Sequence, residues 1–189
     1  MLFIVLVGPK HSGKTSAGKK LAALLGCAFT DLDEAIFRQR GKSPRELYAQ
    51  SAEIFRKAEA EALAAILEKP QDAAPPAAPA LQAPVLRVIA AGGGVIDNPG
   101  AAALLTGNAE ATVVFLDVST ETAWERISRK DQLPPFLRTD NPKETHRLLH
   151  ERRSAAYRQL ASLAIKADGK SSAAIAGEIE EWLRINKLL

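Results

Sequence analysis

The residues with the clearest potential for chemistry are the eight at positions 8–15, GPKHSGKT, which fit the pattern G-x-x-x-x-G-K-[ST]. An apolar run at 2–7 precedes them, and a helix-forming segment at 16–25 follows. In that context glycines let successive backbone N–H groups point inward at an anion, and the next helix adds the positive end of its dipole. The pattern predicts a phosphate-binding loop (P-loop); a plain strand-turn-helix connection is the alternative.

Individual positions of this loop have expected roles. Lys14 would reach the β- and γ-phosphates of a nucleoside triphosphate, and the Thr15 hydroxyl would bind Mg²⁺. The remaining positions expected to contact the nucleotide are Gly8, Lys10, His11, Ser12, Gly13 and Ser16. The sequence therefore predicts a protein that binds ATP or a similar nucleotide together with Mg²⁺.

Two carboxylates, Asp31 and Asp33, follow a short predicted strand at 27–30. Residues two apart at a strand end project to the same side, and ligands of open α/β sheets bind at that edge. One carboxylate can support Mg²⁺ while the other accepts a proton from an attacking hydroxyl. Alternatively, one of them caps the following predicted helix at 34–40.

A predicted helix that begins at a capping box, residues 43–46, carries the next candidate group. We expect an interruption near Ser51 and a continuation to about residue 67. Arg56 and Glu59 lie three apart on one face and can pair, which would hold the guanidinium rigid for a carboxylate or phosphate. A solvated surface pair is the alternative.

Three consecutive glycines, Gly92, Gly93 and Gly94, end a predicted strand at 85–91. Because no side chain covers such a backbone, a ligand can lie directly on it. A tight turn is the alternative, although one or two glycines would serve that purpose.

The elements that must position these groups alternate between strand and helix. Further strands are predicted at 111–118 and 163–167, with helices at 121–129, from 142 onward, and at 172–187. The last helix should turn four side chains toward the core: Ile175, Ile179, Trp182 and Leu183. This alternation predicts an α/β fold, a three-layer α/β/α arrangement around a five-stranded parallel sheet.

Composition is ordinary for one globular domain spanning 1–189, with 47% hydrophobic and 25% charged residues. A net charge of +3, without a dense basic stripe, favours small anionic ligands over nucleic acid. No apolar run approaches the ~20 residues that cross a bilayer, and the single cysteine, Cys27, excludes an internal disulfide. We expect a cytoplasmic monomer that contacts no membrane.

Two segments interrupt the pattern of strands and helices. Residues 69–84 hold five of the eleven prolines and read as a surface insertion. Residues 130–140 contain two prolines and no helical period, and they are a candidate lid over the site.

In this order, the motifs resemble those of the shikimate kinase family, a nucleoside-monophosphate-kinase-like group. The family shows a P-loop, a D-x-D, an F-R-x-x-E, a triple glycine, and a late helical R-x-x-x-Y-R. This chain has the P-loop at 8–15, D-L-D at 31–33, F-R-K-A-E at 55–59, G-G-G at 92–94 and R-S-A-A-Y-R at 153–158. The resemblance implies ATP-dependent transfer of a phosphoryl group to shikimate, which gives shikimate 3-phosphate.

Site roles follow from the same resemblance. Asp31 would support Mg²⁺, and Asp33 would bind the acceptor hydroxyl and take its proton. Arg56 and Arg153 would clamp the shikimate carboxylate above a floor made by the triple glycine. Arg126 is similar to the arginine that stacks on the adenine ring.

The chain departs from the family pattern in the lid. Where the family has R-P-L-L, residues 133–137 read L-P-P-F-L, so the lid arginine falls on Leu133 or Pro134. Flanking cations that could replace it are Arg129, Lys130 and Arg138. Residues 51–52 are also Ser-Ala where the family has Gly-Glu. These departures leave two alternatives: a kinase for another small carboxylated hydroxy compound, or a catalytically weak ATP-binding regulatory paralogue.

Overall fold

In the computed structural model, which describes residues 2–68, 86–129 and 133–189, five parallel strands form one sheet in the order β2-β3-β1-β4-β5. The strands are β1 Leu2–Val7, β2 Ala28–Asp31, β3 Leu86–Ala90, β4 Ala111–Asp117 and β5 Leu163–Lys166. The predicted α/β fold with a five-stranded parallel sheet is confirmed. Since all strands run the same way, their carboxyl ends meet at one edge.

The described residues form eight α-helices, of which seven lie between strands and the eighth follows the last strand. They are α1 Lys14–Leu25, α2 Leu32–Arg40, α3 Pro44–Gln50, α4 Ala52–Glu68, α5 Pro99–Gly107, α6 Thr120–Ser128, α7 Pro142–Leu160 and α8 Ser172–Ile185. The capping box at Ser43 forms as predicted, with Glu46 as its reciprocal partner. The predicted interruption near Ser51 is confirmed, because Ser51 has extended backbone (φ −166°) between α3 and α4.

Hydrophobic cores lie on both faces of the sheet because successive side chains of each strand alternate between the faces. In β1, Phe3, Val5 and Val7 pack with residues of α2, α4 and α5. Ile4 and Leu6 point the other way and pack with residues of α1 and α8. The central strand is therefore buried on both sides, and it holds the P-loop that follows it in a fixed position.

Some predicted boundaries were wrong. The second strand ends at Asp31 and α2 begins at Leu32, whereas the sequence suggested 27–30 and 34–40. The cause is the side chain of Asp31, which accepts a hydrogen bond from the Asp33 backbone N–H at 3.0 Å and caps α2. In α8 all four predicted side chains lie on the core side: three are buried, and Trp182 is half-buried and packs against the same core, which also includes Ala176.

The two irregular segments fall partly or wholly outside the described residues. The predicted insertion at 69–84 lies outside them, as do residues 130–132 of the predicted lid. The described part of the lid forms a 3₁₀ turn, Pro135–Leu137, and Leu137 is fully buried. None of the described helices has both the length and the hydropathy needed to cross a membrane.

Candidate active site at the carboxyl edge of the sheet

A cavity of about 780 Å³ opens at the carboxyl edge of the sheet and collects most of the predicted site residues. Its walls come from the P-loop, the start of α2, α3, α4, the triple glycine, the lid and α7. The predicted site residues that line it are Lys10, His11, Gly13, Lys14, Thr15, Ser16, Asp31, Asp33, Gly92, Gly93, Gly94 and Arg153. Residues from distant parts of the chain thus share one solvent-accessible space.

The P-loop is closed around the side chain of Lys14. Its Nζ donates to the carbonyl oxygens of Gly8 at 3.0 Å and Pro9 at 2.8 Å, and the residue is buried. Burial lowers the pKa of Lys14 to about 8, although the charges of Asp33 and Asp31 oppose the shift. Gly8 has φ 142°, and a Cβ there would lie 2.7 Å from a β4 carbonyl oxygen. The loop conformation therefore needs glycine at this position.

The predicted magnesium ligands, Thr15 and Asp31, contact each other. The Thr15 hydroxyl donates to Asp31 Oδ2 at 2.8 Å, while Asp31 Oδ1 caps α2. Asp31 therefore caps α2, as one of the two aspartates was predicted to do, and it also contacts Thr15, the other predicted magnesium ligand. Mg²⁺ is usually held by one or two protein oxygens plus substrate phosphates and water, and this pair of oxygen donors fits that requirement.

Asp33 points into the cavity from the first turn of α2. Asp33 is exposed through the cavity mouth, but enough of the protein lies around its carboxylate to raise the pKa of Asp33. Burial is the largest cause and the negative charge of Asp31 adds to it, whereas Lys14 and Lys10 act in the opposite direction. A raised pKa makes a carboxylate a stronger base toward a hydroxyl proton.

Each glycine of the triple glycine makes room for a different group. None of the three has a positive φ, so what they provide is space. A Cβ at Gly92 would lie 2.9 Å from Glu59 Oε1, one at Gly93 would lie 2.9 Å from the Lys10 backbone nitrogen, and one at Gly94 would lie 3.0 Å from Arg153 Nη2. The glycines therefore form the cavity floor and also let the P-loop approach β3.

Gly93→Ala is expected to lower kcat/KM for ATP by about tenfold or more, because the new methyl group meets the P-loop backbone, which must then shift. Steady-state kinetics with varied ATP measures the effect. Gly177→Ala is the matched control: a Cβ there meets nothing within 4 Å, so activity should not change. Unchanged ATP kinetics in Gly93→Ala would contradict the proposed packing of the loop on the glycine floor.

Arg153 reaches the cavity from α7 and is held on several sides. Its Nε and Nη2 donate to Asp97 Oδ2 at 2.8 and 2.6 Å, and Nη1 donates to the Gly93 carbonyl oxygen at 3.2 Å. The ring of Phe136, from the lid, lies 5.7 Å from the guanidinium carbon. A guanidinium fixed in this way can receive a carboxylate.

The expected pair between Arg56 and Glu59 is not formed. Glu59 is buried and accepts from the Asn98 side-chain amide at 3.0 Å, while Arg56 is exposed and does not line the cavity. Asn98 also donates to the Arg56 carbonyl oxygen at 2.7 Å. Burial raises the pKa of Glu59. The structure brings Arg153 to the cavity, and the clamp role of Arg56 stays a prediction.

Arg126 lies beside the P-loop but outside the cavity lining. Its Nη1 donates to the His11 carbonyl oxygen at 2.9 Å, and His11 has the left-handed backbone conformation, with φ 63°. Non-glycine residues seldom adopt that conformation, and the Arg126 contact helps to hold it. Stacking of Arg126 on adenine stays a prediction.

The lid contributes apolar side chains to the cavity: Leu133, Pro134 and Phe136. Among the proposed replacements for its arginine, Arg129 pairs with Glu125, Arg138 is exposed away from the cavity, and Lys130 lies outside the described residues. The cations that line the cavity are Lys10, Lys14, Arg45 and Arg153.

Sequence reasoning missed Arg45, Asp97 and Phe136 as parts of the cavity. The only local signal for Arg45 was its place in the first turn of a capped helix. Asp97 offered a carboxylate three residues after the triple glycine, but its partner is 56 positions away. Phe136 lies in the lid segment that departs from the family pattern, but nothing in the sequence indicated that its ring contacts Arg153.

A family model for shikimate kinase matches residues 10–73 and 78–184, and the break lies inside the Pro- and Ala-rich segment. A shikimate kinase of Moorella thermoacetica is 38% identical over 183 residues, which are 96% of this chain and 94% of the relative. One of Francisella tularensis subsp. novicida is 32% identical over 181 residues, covering 95% and 93% of the two chains.

Solved structures of shikimate kinases also match this chain. Shikimate kinase from Acinetobacter baumannii in complex with shikimate matches with a TM-score of 0.82 at 28% identity, over 100% of this chain and 96% of that one. Shikimate kinase from Aquifex aeolicus matches with a TM-score of 0.76 at 26% identity, over 99% of each chain. The sequence and the fold thus agree, and the chain belongs to the shikimate kinase family.

Proposed function

We propose that this chain is an ATP-dependent kinase that transfers the γ-phosphoryl group to a hydroxyl of shikimate and gives shikimate 3-phosphate. The observation that carries the proposal is the shared cavity, in which the P-loop faces both Asp33 and Arg153. The P-loop side of the cavity can bind a polyphosphate, and the side with Asp33 and Arg153 can bind the hydroxyl and the carboxylate of an acceptor. The A. baumannii relative, whose structure is a complex with shikimate, supports this acceptor.

In the reaction the bond between the γ-phosphorus and the β,γ-bridging oxygen breaks, and a new bond forms to the acceptor oxygen. The P-loop amides and Lys14 hold the phosphates, and Lys14 exchanges its present carbonyl partners, Gly8 and Pro9, for phosphate oxygens. Asp33 orients the acceptor hydroxyl and receives its proton. Catalysis of this kind consists mainly of positioning and charge stabilisation.

Thr15 and Asp31 are the residues proposed to hold Mg²⁺. The Thr15 hydroxyl would bind the ion directly, and Asp31 would support it through its hydrogen bond with that hydroxyl. When bound, the ion neutralises charge on the β- and γ-phosphate oxygens. The described residues contain no group of three or more His, Cys, Asp or Glu side chains placed to hold a metal. This agrees with a site in which the nucleotide itself supplies ligands.

Arg153 is the proposed ligand of the acceptor carboxylate. It lies beside the triple glycine, and the lid residue Phe136 covers it. We assign the same role to Arg56, which would have to turn toward the cavity when the acceptor binds.

Family membership favours shikimate over another carboxylated hydroxy compound as the acceptor. The groups required for turnover share one cavity, which disfavours a catalytically weak regulatory paralogue. A monomeric state and a cytoplasmic location stay predictions.

The experiment is a coupled assay of ADP release with Mg²⁺, ATP and shikimate, with shikimate 3-phosphate identified by mass. We expect shikimate to raise the rate far above the ATP-only background, and the methyl ester of shikimate to be a poor acceptor because it lacks the carboxylate. A rate with shikimate no higher than the background would overturn the proposal.

A further inference from the structure

We propose that Asp97 is a positioning residue for the acceptor: supported by Arg152, it fixes the Arg153 guanidinium in the orientation that receives the substrate carboxylate. The inference rests on the proposed function, and it concerns a residue to which neither the sequence motifs nor the family comparison gives a role. The affinity for the acceptor then depends partly on a carboxylate that acts through Arg153.

Asp97 lies in a 3₁₀ turn, Val95–Asp97, directly after the triple glycine. One of its oxygens, Oδ2, accepts from both Nε and Nη2 of Arg153, at 2.8 and 2.6 Å. Both side chains are only 17% exposed. Charge-assisted contacts to one edge of a guanidinium fix its plane as well as its position.

The hydrogen-bond donors of Arg153 can be counted. A guanidinium has five N–H donors; Asp97 takes two of them and the Gly93 carbonyl oxygen takes a third. One N–H then remains on each terminal nitrogen. Two such donors on neighbouring nitrogens match the two oxygens of an incoming carboxylate.

Two further contacts leave the guanidinium little freedom. Gly94 lies against it on one side, since a Cβ there would approach Nη2 to 3.0 Å. The ring of Phe136 lies 5.7 Å from its central carbon. With Asp97 along one edge, the open direction is toward the cavity that Arg153 lines.

Arg152 offsets the negative charge that Asp97 places beside a site for an anion. Asp97 alone would cancel the charge of Arg153 and weaken the attraction for a substrate carboxylate. The second oxygen of Asp97, Oδ1, accepts from Arg152 Nη2 at 2.9 Å. The three side chains together keep a net charge of +1, so the site still attracts an anion.

A second ion pair on the same helix offers a comparison outside the cavity. Arg158 donates to Asp117 at 2.7 Å, and the Asp117 side chain is also 17% exposed. Neither residue lines the cavity. If Asp97 merely anchored α7 to the sheet edge, its removal would have the same consequences as removal of Asp117.

The test compares Asp97→Ala, Asp97→Glu and Asp117→Ala by steady-state kinetics with shikimate and with shikimate methyl ester. For Asp97→Ala we expect the shikimate KM to rise about 10- to 100-fold, with kcat changed by less than about threefold. The KM of the ester should hardly move, since it offers no carboxylate. Asp97→Glu should recover most of the affinity, and Asp117→Ala should keep both constants.

Thermal melting of each variant separates loss of the fold from loss of affinity. An unchanged shikimate KM in a folded Asp97→Ala variant would overturn the positioning role, as would an equal rise in KM for the ester or in Asp117→Ala. Wild-type protein that does not turn over shikimate would instead overturn the proposed function. The two failures are therefore distinguishable.

Discussion

Replacing Asp33 with Asn is expected to lower kcat by about 10²- to 10⁴-fold, which is the usual contribution of a positioned general base. The amide can still contact the acceptor hydroxyl, but it cannot accept its proton. The KM values for ATP and shikimate should change little, because the proposed contacts of the phosphates are with the P-loop and those of the carboxylate are with Arg153. Single-turnover and steady-state measurements of kcat check this.

Glu34→Gln is the matched control for Asp33→Asn. Glu34 is the next residue of the same helical turn, but it is exposed and lies 3.6 Å from Arg38. Its replacement should leave kcat within about twofold, as for most surface substitutions. Retention of near wild-type kcat by folded Asp33→Asn would exclude Asp33 as the base.

The pH dependence of the rate is an independent test of Asp33 as the general base. The base must be ionised, so kcat/KM for shikimate should fall as the pH decreases through the pKa of Asp33. Because burial and Asp31 raise that pKa, the fall should occur above 3.8, the ordinary value for an aspartate. The part of this acidic limb that Asp33 causes should be absent from the residual activity of Asp33→Asn, which leaves only the titration of the substrate carboxylate.

Sequence patterns predicted the parts of the molecule whose structure is determined locally. The P-loop followed from glycines placed between an apolar run and a helix, and the start of α3 followed from the Ser43 capping box. The parallel sheet and the site at its carboxyl edge were predicted from the alternation of strands and helices. These features depend on neighbours within about ten residues, so their signals lie close together in the chain.

The parts that could not be predicted depend on partners far apart in sequence. Glu59 has a neighbour of opposite charge at Arg56, yet its partner is Asn98, 39 positions away. Spacing on a helix shows which side chains can meet, but tertiary packing decides whether one of them is buried. The pairing of Arg153 with Asp97 has the same origin.

The sequence also left open which aspartate had which role. Asp31 ended as both the helix cap and the partner of Thr15, because a carboxylate has two oxygens that can point in different directions. Because Asp31 caps α2, the Asp33 side chain is not needed as a cap, and it lines the cavity. Asp31 is the cap because β2 ends at this residue, one position later than the sequence predicted.

Lys14→Met is expected to lower kcat by about 10²- to 10³-fold, the loss seen when one preorganised donor to developing charge is removed. Met keeps much of the length of the side chain without its charge. The ATP dissociation constant should also rise about tenfold, because a charge-assisted contact to the phosphates is lost. Lys19→Met, on an exposed face of the same helix, is the control and should leave both quantities unchanged.

Proton uptake distinguishes Lys14 from the other cations near the phosphates. In the free protein its pKa is about 8 because of burial, and a bound polyphosphate should raise that pKa again. About one pH unit above that value, most free protein has neutral Lys14, so ATP binding should take up nearly one proton. Calorimetry in two buffers of different ionisation enthalpy measures this uptake, which Lys14→Met should abolish. Unchanged uptake in the variant would mean that another group titrates, and unchanged ATP affinity would exclude Lys14 as the phosphate ligand.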